Sequence, residues 1–255
     1  MLELKNISLC YGKKTVLDGI TACFEKGKLT SIIGVNGCGK TTLLRSALGM
    51  LPLARGEITL DGRDLRSMSR NEIARKLAYL PQGKSTPDMT VEKMVLHGRF
   101  PYLSYPRRYS GSDRELARAA MQTVGITDLA HEPLSTLSGG MRQNAYIAMA
   151  LAQDTDYILL DEPTTYLDIS HQLDLMKLLR TLTSDGKGIV TVMHDLPMAL
   201  KFSDELLVMD NGKVMMQAKP SEICNTSIIK DVFDVRIESL GDGRYCYSSS
   251  DVASR

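Results

Sequence analysis

The sequence predicts an α/β fold in which the strands of a buried sheet are separated by a long helical insert. Short apolar runs, typical of parallel strands covered on both faces, occur at residues 29–33, 157–160 and 188–193. The intervening stretch, residues 90–153, has mostly helical patterns. A glycine-rich loop follows the first apolar run and precedes an apolar helix at residues 42–48. These three observations favour one α/β core that contains a helical insert.

The N-terminal part is predicted to consist of strands joined by tight turns. Strands are expected at residues 2–9, 15–24 and 29–33, because β-branched and other apolar residues recur there. The sequences YGKK and EKGK between them predict turns. A further strand, residues 57–60, ends at the turn signal Asp61-Gly62.

One helix of the insert has start and end signals of its own. Residues 112–115, Ser-Asp-Arg-Glu, fit the spacing of a capping box. Leu116, Ala120 and Val124 would then share one apolar face, since they recur at helical spacing. Gly125 would close the helix in a left-handed conformation.

The C-terminal part predicts a return to short strands. Apolar runs at residues 157–160, 188–193 and 205–209 are followed by Asp-Asn-Gly-Lys at 210–213, a hairpin turn signal. From Ser221 onward the sequence predicts one helix and then a small strand pair around Gly241-Asp242-Gly243.

Composition and charge exclude several classes of protein. The 255 residues are 43% hydrophobic and 24% charged, as in an ordinary globular protein, and the formal net charge of +1 gives no support for a nucleic-acid surface. No apolar run is long enough to span a bilayer, and the first ten residues lack the apolar block of a signal peptide. The five cysteines form no CxxC pair, which suits a reducing cytosol; they are Cys10, Cys23, Cys38, Cys224 and Cys246.

The glycine-rich loop carries the first candidate site. "GVNGCGKTT" at residues 34–42 fits G-x-x-x-x-G-K-[ST], with the preceding strand and following helix that this motif requires. Its backbone N–H groups would converge on phosphate oxygens. Lys40 would reach the β- and γ-phosphates, and the Thr41 hydroxyl would bind Mg²⁺. The alternative is a glycine-rich turn with a surface lysine.

Carboxylates end a second strand. "DYILLDEP" at residues 156–163 is an apolar strand that ends in Asp161 and Glu162. Such an ending is mostly structural when it stands alone. Beside the phosphate loop, Asp161 would hold Mg²⁺ through water and Glu162 would polarise the attacking water.

Further candidates are weaker when each is taken by itself. His194 follows the strand at residues 188–193, and a lone histidine there is more often structural than catalytic. Gln82 would be a surface loop residue, and Tyr11 a turn aromatic without a role. Ser138-Gly139-Gly140 opens a long helical pattern and would be a second phosphate seat, far from the first along the chain.

Together these motifs resemble the ATPase subunits of ATP-binding-cassette (ABC) transporters over about the first 220 residues. The resemblance implies a P-loop (RecA-like) core with an N-terminal antiparallel β subdomain and an inserted helical subdomain. The implied divisions are a core at about 1–85 and 154–220, a helical subdomain at about 86–153, and a C-terminal extension at about 221–255. All would belong to one ABC ATPase domain.

The resemblance also implies a role for each candidate residue. Glu162, His194 and Gln82 would be catalytic, and Gln82 would also sense Mg²⁺ and the membrane partner. Mg²⁺ would be held by Thr41, Gln82 and Asp161. The ATP-binding set would be Tyr11, stacked on adenine, then Gly34, Asn36, Gly37, Cys38, Gly39, Lys40, Thr41, Thr42, Ser138, Gly139, Gly140 and Asp168.

In this family two subunits pair head to tail, which implies why one chain has two phosphate seats. Each ATP would lie between one subunit's phosphate loop and the other subunit's signature, Leu137 to Gly140. The sequence departs from the family at Met141, where glutamine is usual, and at Asn144, where arginine is usual. Val35 and Cys38 also differ from the commoner proline and serine. These departures put fine affinity in doubt and leave the roles intact.

Cys38 allows two interpretations. It lies in the phosphate loop beside Lys40 and the start of a helix, and both would stabilise a reactive thiolate. Alternatively, cysteine is simply small enough to fit at this position.

The resemblance extends to importers of iron–siderophore complexes, haem and cobalamin, through residues 95–102, 116–140 and 168–179. It implies a homodimer in the ATP-bound state, two polytopic permease subunits and, indirectly, an extracellular or periplasmic substrate-binding protein. The chain would lie at the cytoplasmic face of a bacterial or archaeal membrane. Residues 99–102, Arg-Phe-Pro-Tyr, would dock on the permease; the alternative is a solvated loop.

Two other functions are weighed against an importer. A soluble ABC ATPase acting on nucleic acid or ribosomes usually has two cassettes or a coiled coil, and neither is present in this sequence. A P-loop kinase or GTPase would leave Ser138-Gly139-Gly140 without a role.

Overall fold

A computed structural model of the protein describes residues 1–83, 86–165, 167–241 and 244–249. Two sheets pack against each other and carry helices around them. This arrangement confirms the predicted α/β class.

The N-terminal sheet is antiparallel, with strand order β2–β1–β4–β5. β1 and β2 form a long hairpin, and β4 pairs with the other edge of β1. The predicted strands are all present, and each is extended by one to a few residues because the turns between them are tight. Their bounds are β1 (Leu2–Tyr11), β2 (Lys14–Phe24), β4 (Arg55–Leu60) and β5 (Arg63–Asp64).

The central sheet has six strands in the order β10–β9–β3–β8–β7–β6, parallel except for β10. β9 and β10 form the hairpin that the turn at 210–213 predicts. The parallel arrangement brings the carboxyl ends of β3, β7 and β8 to one edge. The strands are β3 (Leu29–Gly34), β6 (Leu77–Leu80), β7 (Tyr157–Asp161), β8 (Gly188–Val192), β9 (Glu205–Asp210) and β10 (Lys213–Ala218).

Helices cover the central sheet and form the insert between β6 and β7. Short 3₁₀ turns occur at Leu65–Ser67, His97–Tyr102, Thr127–Leu129 and Leu134–Thr136. The α-helices are α1 (Lys40–Ala47), α2 (Arg70–Ala74), α3 (Val91–Leu96), α4 (Gly111–Thr123), α5 (Gly139–Ala152), α6 (Ile169–Ser184), α7 (Leu196–Phe202), α8 (Pro220–Cys224) and α9 (Ile228–Phe233).

The central sheet is buried on both faces, which explains its continuous apolar strands. Successive side chains of β7 point to opposite sides, so Tyr157 and Leu159 pack with α1 and the antiparallel sheet. Ile158 and Leu160 pack with α3, α4, α5 and α6 on the other side. The two cores hold the carboxyl edge of the sheet between them.

The predicted capping box at residues 112–115 is wrong by two residues. Ser110 caps α4 instead: its hydroxyl accepts from the N–H of Asp113, and the Asp113 carboxylate accepts from the N–H of Ser110. The ion pair between Asp113 and Arg99 also holds the Asp113 carboxylate in the first turn of α4. Leu116 is 37% exposed and does not share the buried face, whereas Ala120 and Val124 do.

The C-terminal part contains two short helices, α8 and α9, where the sequence predicted one. They precede the predicted strand pair, β11 (Val235–Gly241) and β12 (Arg244–Ser249). Asp242 and Gly243, the rest of the predicted turn, lie outside the described residues.

Arg99 joins three parts of the helical insert. Arg99 is only 7% exposed. Its guanidinium pairs with Asp113 at 2.9 Å and donates to the carbonyl of Ala152 at 3.0 Å. It also lies 3.9 Å from the centre of the Tyr102 ring. Burial by itself raises the pKa of Asp113, but hydrogen bonds from Ser110 and Arg99 outweigh it and lower that pKa. Arg99 is therefore not a solvated loop residue. Docking of residues 99–102 on the permease stays a prediction.

Replacing Arg99 by alanine is expected to lower the free energy of unfolding by about 3–5 kcal/mol, because Asp113 would stay buried without its partner. Urea unfolding followed by circular dichroism measures the change. Arg107→Ala is the matched control, since Arg107 is exposed and stacks on Phe100. It should change stability by less than about 0.5 kcal/mol. Equal effects of the two changes would contradict the structural role of Arg99.

Candidate nucleotide site

The phosphate loop connects the end of β3 to the start of α1. Gly39 has a φ of 106° just before the helix, a left-handed conformation that suits glycine. A Cβ on Gly34 would lie 2.3 Å from the carbonyl oxygen of Met209 and 2.7 Å from the Cys38 sulfur. The loop is therefore packed tightly against β9, which fixes where its N–H groups point.

Lys40 lies at the centre of this loop. Its Nζ donates to the carbonyl of Gly34 at 2.8 Å and to that of Val35 at 3.0 Å, and the side chain is buried. A buried ammonium whose partners among the described residues are neutral carbonyls is a strong site for an anion.

Asp161 ends β7 directly opposite Thr41. The Thr41 hydroxyl donates to Oδ1 of Asp161 at 3.0 Å, and the Tyr79 hydroxyl donates to Oδ2 at 3.3 Å. Burial raises the pKa of Asp161, and these hydrogen bonds offset the rise only in part. Sequence reasoning missed Tyr79, since an aromatic residue in a buried strand gives no signal of a polar contact.

Glu162 is the meeting point of the predicted catalytic residues. His194 Nε2 lies 2.5 Å from Oε1 of Glu162, and the Gln82 amide donates to Oε2. The Thr165 hydroxyl also donates to Oε2, at 3.2 Å, and sequence reasoning missed this residue. Glu162 has a φ of 51°, unusual for a residue with a side chain, and such backbone conformations cluster at functional sites.

A cleft lies beside the phosphate loop. It brings together much of the predicted ATP-binding set with Glu162 and His194, and adds Val16, which the sequence did not single out. Tyr11, 52% exposed at the end of β1, is not among the residues that line it. The lining residues are Val16, Asn36, Gly37, Gly39, Lys40, Thr41, Thr42, Glu162 and His194.

Cys38 does not have the environment of a reactive thiolate. Its side chain is 4% exposed and packs under Gly34, and burial raises its pKa, although Lys40 opposes the shift. The interpretation of Cys38 as a small residue that fits therefore holds, and the reactive-thiolate interpretation is wrong.

Ser138 begins α5 as its N-cap. The Ser138 hydroxyl accepts from the N–H of Met141 at 3.2 Å, and Gly139 and Gly140 form the first turn. Met141, where the sequence departs from the family, is exposed, whereas the Asn144 amide donates to the carbonyl of Val124 at 3.2 Å. Asn144 therefore ties α5 to the end of α4.

The two predicted phosphate seats line different clefts of the same chain, and these clefts share Glu162. Gly139 lines a second cleft, together with Gln82, Arg142 and Glu162. Within the described chain, none of residues 138–140 lines the cleft beside the phosphate loop. The signature end of α5 is thus placed away from its own phosphate loop.

Asp168 caps α6. Its carboxylate accepts from the N–H of His171 at 2.9 Å and contacts the ring Nδ1 of His171 at 2.8 Å. Both hydrogen bonds lower the pKa of Asp168, the one from the His171 N–H more than the one from the ring.

Comparison with known proteins decides the family. A family model described as ABC transporter matches residues 17–165. The chain belongs to the ABC transporter family. The predicted resemblance to its ATPase subunits is confirmed, and the nucleotide of this ABC ATPase is ATP.

Curated relatives match most of this ABC ATPase. The petrobactin import ATP-binding protein FpuD of Bacillus anthracis is 42% identical over 94% of this chain and 89% of its own length. The ferric enterobactin transport ATP-binding protein FepC of Escherichia coli (strain K12) is 42% identical over 94% and 90%. The iron(3+)-hydroxamate import ATP-binding protein FhuC of Bacillus subtilis (strain 168) is 38% identical over 95% and 91%.

Solved structures agree with the fold of this ABC ATPase. An inward-facing metal-chelate type ABC transporter superposes with a TM-score of 0.83 and 25% identity, covering 96% of this chain and 95% of that one. The ADP conformation of the ATP-binding cassette MJ1267 gives 0.82 and 25%, covering 91% and 96%. In the described part of the ABC ATPase, no helix has the length and apolar character needed to cross a membrane.

Proposed function

We propose that this chain is the ATP-hydrolysing subunit of an importer of ferric siderophores. Relatives of about 40% identity are named for petrobactin, enterobactin and ferric hydroxamate. These names narrow the expectation from siderophore, haem or cobalamin to the first of the three. The division into core, helical subdomain and C-terminal extension remains a prediction.

The geometry around Glu162 supports ATP hydrolysis. Glu162 is proposed to orient and deprotonate the attacking water, because its carboxylate lies beside the phosphate-loop cleft. His194 would hold that carboxylate and contact the γ-phosphate, and Lys40 would bind the β- and γ-phosphates.

The donor set near Thr41 fits Mg²⁺. Thr41 and Asp161 offer a hydroxyl and a carboxylate oxygen, which this ion prefers. The third predicted ligand, Gln82, lies in the neighbouring cleft with its amide bonded to Glu162. Thr41 and Asp161 would hold Mg²⁺ when ATP is bound, and the ion would neutralise negative charge on the phosphates. The hydrogen bond between Thr41 and Asp161 already holds the two oxygens 3.0 Å apart.

The separation of the two phosphate seats carries the proposal of a head-to-tail homodimer. Because Gly139 lines a different cleft from Lys40, one chain would contribute half of each of two sites. The first turn of α5 would bind the γ-phosphate of ATP held by the partner, at the positive end of the helix. ADP lacks this phosphate, so hydrolysis would release the dimer.

Ser138→Arg tests this arrangement. The variant is expected to bind fluorescent ATP as tightly as the wild type, because Ser138 lies outside its own phosphate cleft, while ATP turnover falls by about 10²-fold or more. Met141→Gln, one helical turn further and exposed, is the matched control and should change turnover far less. Equal loss of ATP binding and turnover in Ser138→Arg would show that the seat acts within one chain.

A groove next to the site is the proposed docking surface for the permease. It lies between the end of α1 and α2 and includes Gly49, Met50, Ile73 and Tyr79. Met50 is largely exposed in this groove, and its apolar side chain suits contact with an apolar surface of a partner. Tyr79 also donates to Asp161, so the groove and the ATP site share one side chain.

Membrane purification tests the importer proposal. The tagged chain is expected to co-purify with two polytopic permease subunits at the cytoplasmic face, and through them with a substrate-binding protein. Met50→Glu should reduce their recovery. Met215→Glu, which changes another exposed methionine, on β10, should not. Recovery of ribosomes or nucleic acid in place of a permease would favour the soluble ABC ATPase.

A further inference from the structure

His171 lies in the first turn of α6 and packs against the first turn of α5. A Cβ built on Gly140 would lie 2.7 Å from Cδ2, 3.0 Å from Nε2 and 3.1 Å from Cγ of His171. Real Cβ atoms do not approach other atoms at the shortest of these distances. The imidazole therefore covers the Cα of Gly140, and a larger residue there would have to displace the ring.

Asp168 holds this ring in place. His171 Nδ1 lies 2.8 Å from both carboxylate oxygens of Asp168, and the backbone N–H of His171 donates to the same group at 2.9 Å. An ionised carboxylate only accepts hydrogen bonds, so Nδ1 carries the proton. The ring has two anchors on one side and Gly140 on the other.

We propose that His171 is a positioning residue that fixes the first turn of α5 in the orientation needed to bind the partner subunit's ATP. The inference rests on the head-to-tail dimer proposed above. Through this one imidazole, the signature turn at residues 138–140 is connected to Asp168, which the family resemblance includes in the ATP-binding set. Binding of the partner's ATP by this turn would then depend on His171, a side chain that acts through Gly140 and not by contact with the nucleotide.

The fold itself does not need this contact. The His171 side chain is 49% exposed, so its burial contributes little to stability. α6 is held to the core by other side chains, which are Leu175, Met176, Leu179 and Leu182. A merely structural role would therefore predict no specific effect on dimer formation.

Hydrogen exchange in the nucleotide-free chain tests the contact by itself. His171→Ala is expected to speed exchange at the amides of Met141 and Arg142, which are bonded to the cap residue Ser138. His171→Phe keeps a flat ring but loses the hydrogen bonds from Nδ1 to Asp168, so it should restore only part of the protection. Ser170→Ala, an exposed neighbour in the same turn, is the matched control. Unchanged exchange in His171→Ala would overturn the proposal.

ATP-dependent dimerisation in a Glu162→Gln background tests the functional consequence. His171→Ala should weaken the dimer about tenfold, the effect of losing a hydrogen bond to a charged group. ATP binding to the monomer and the melting temperature should stay the same. Loss of monomer binding, or an unchanged dimer, would contradict a positioning role for His171.

A double substitution gives an independent check. In the Glu162→Gln background, Gly140→Ala should weaken the dimer more when His171 is intact than when it is replaced by alanine. The His171→Ala variant lacks the ring with which the new Cβ would collide. Equal effects in both backgrounds would contradict the contact. If Glu162→Gln itself fails to dimerise with ATP, the head-to-tail proposal fails and the dimer-positioning role fails with it, whereas the exchange experiment still decides whether His171 orders the turn.

Discussion

Replacing Glu162 by glutamine is expected to lower ATP turnover by about 10²–10⁴-fold, the usual contribution of a positioned general base. An amide cannot accept the proton of the attacking water, yet it fills the same space and can still bond to Gln82 and Thr165. ATP binding should therefore remain. A phosphate-release assay measures turnover, and size exclusion with ATP and Mg²⁺ measures the dimer that should accumulate.

Two comparisons separate this effect from a general loss of structure. His194→Ala should also slow turnover and keep ATP binding, because it removes the side chain that lies against the Glu162 carboxylate. Glu115→Gln, the same chemical change at an exposed position of α4, should leave turnover as it is. A Glu162→Gln protein that turns over ATP at the wild-type rate would exclude Glu162 as the base.

Lys40→Ala is expected to weaken ATP binding by about 10²–10⁴-fold, since the phosphates lose two or more charge-assisted hydrogen bonds. The buried ammonium is held between the carbonyls of Gly34 and Val35, at the centre of the loop. Titration with a fluorescent ATP analogue measures the loss. Binding of ATP with wild-type affinity by this variant would contradict the assignment of the loop.

The matched control for Lys40 is Lys177→Ala. Lys177 lies on the exposed face of α6 and pairs with Asp174 in its own turn. Its removal should leave ATP affinity unchanged and alter stability by less than about 1 kcal/mol.

Local chemistry explains why the ATP site could be predicted. A phosphate loop is built from consecutive residues, and its glycines, lysine and hydroxyl must occur at fixed spacing. The sequence of residues 34–42 therefore predicts the loop directly. Apolar strands covered on both faces are equally visible, and the structure confirms them at β3, β7 and β8. Asp161 could be placed at the sheet edge because it ends such a strand.

Contacts between distant segments could not be predicted in this way. Tyr79 and Thr165 reach the carboxylates of Asp161 and Glu162 across neighbouring segments, and nothing in their local sequence marks those partners. The predicted start of α4 was wrong because the Asp113 carboxylate accepts hydrogen bonds from the distant Arg99 as well as from Ser110.

The sequence by itself therefore determined the fold class, the phosphate loop and the two carboxylates, because each depends on residues that are close together in the chain. Only the tertiary structure decided that Arg99 is a buried tie, that Cys38 is a protected thiol, and that His171 covers Gly140. The physical reason is that burial and close packing depend on which segments meet, and that is fixed when the sheets and helices assemble.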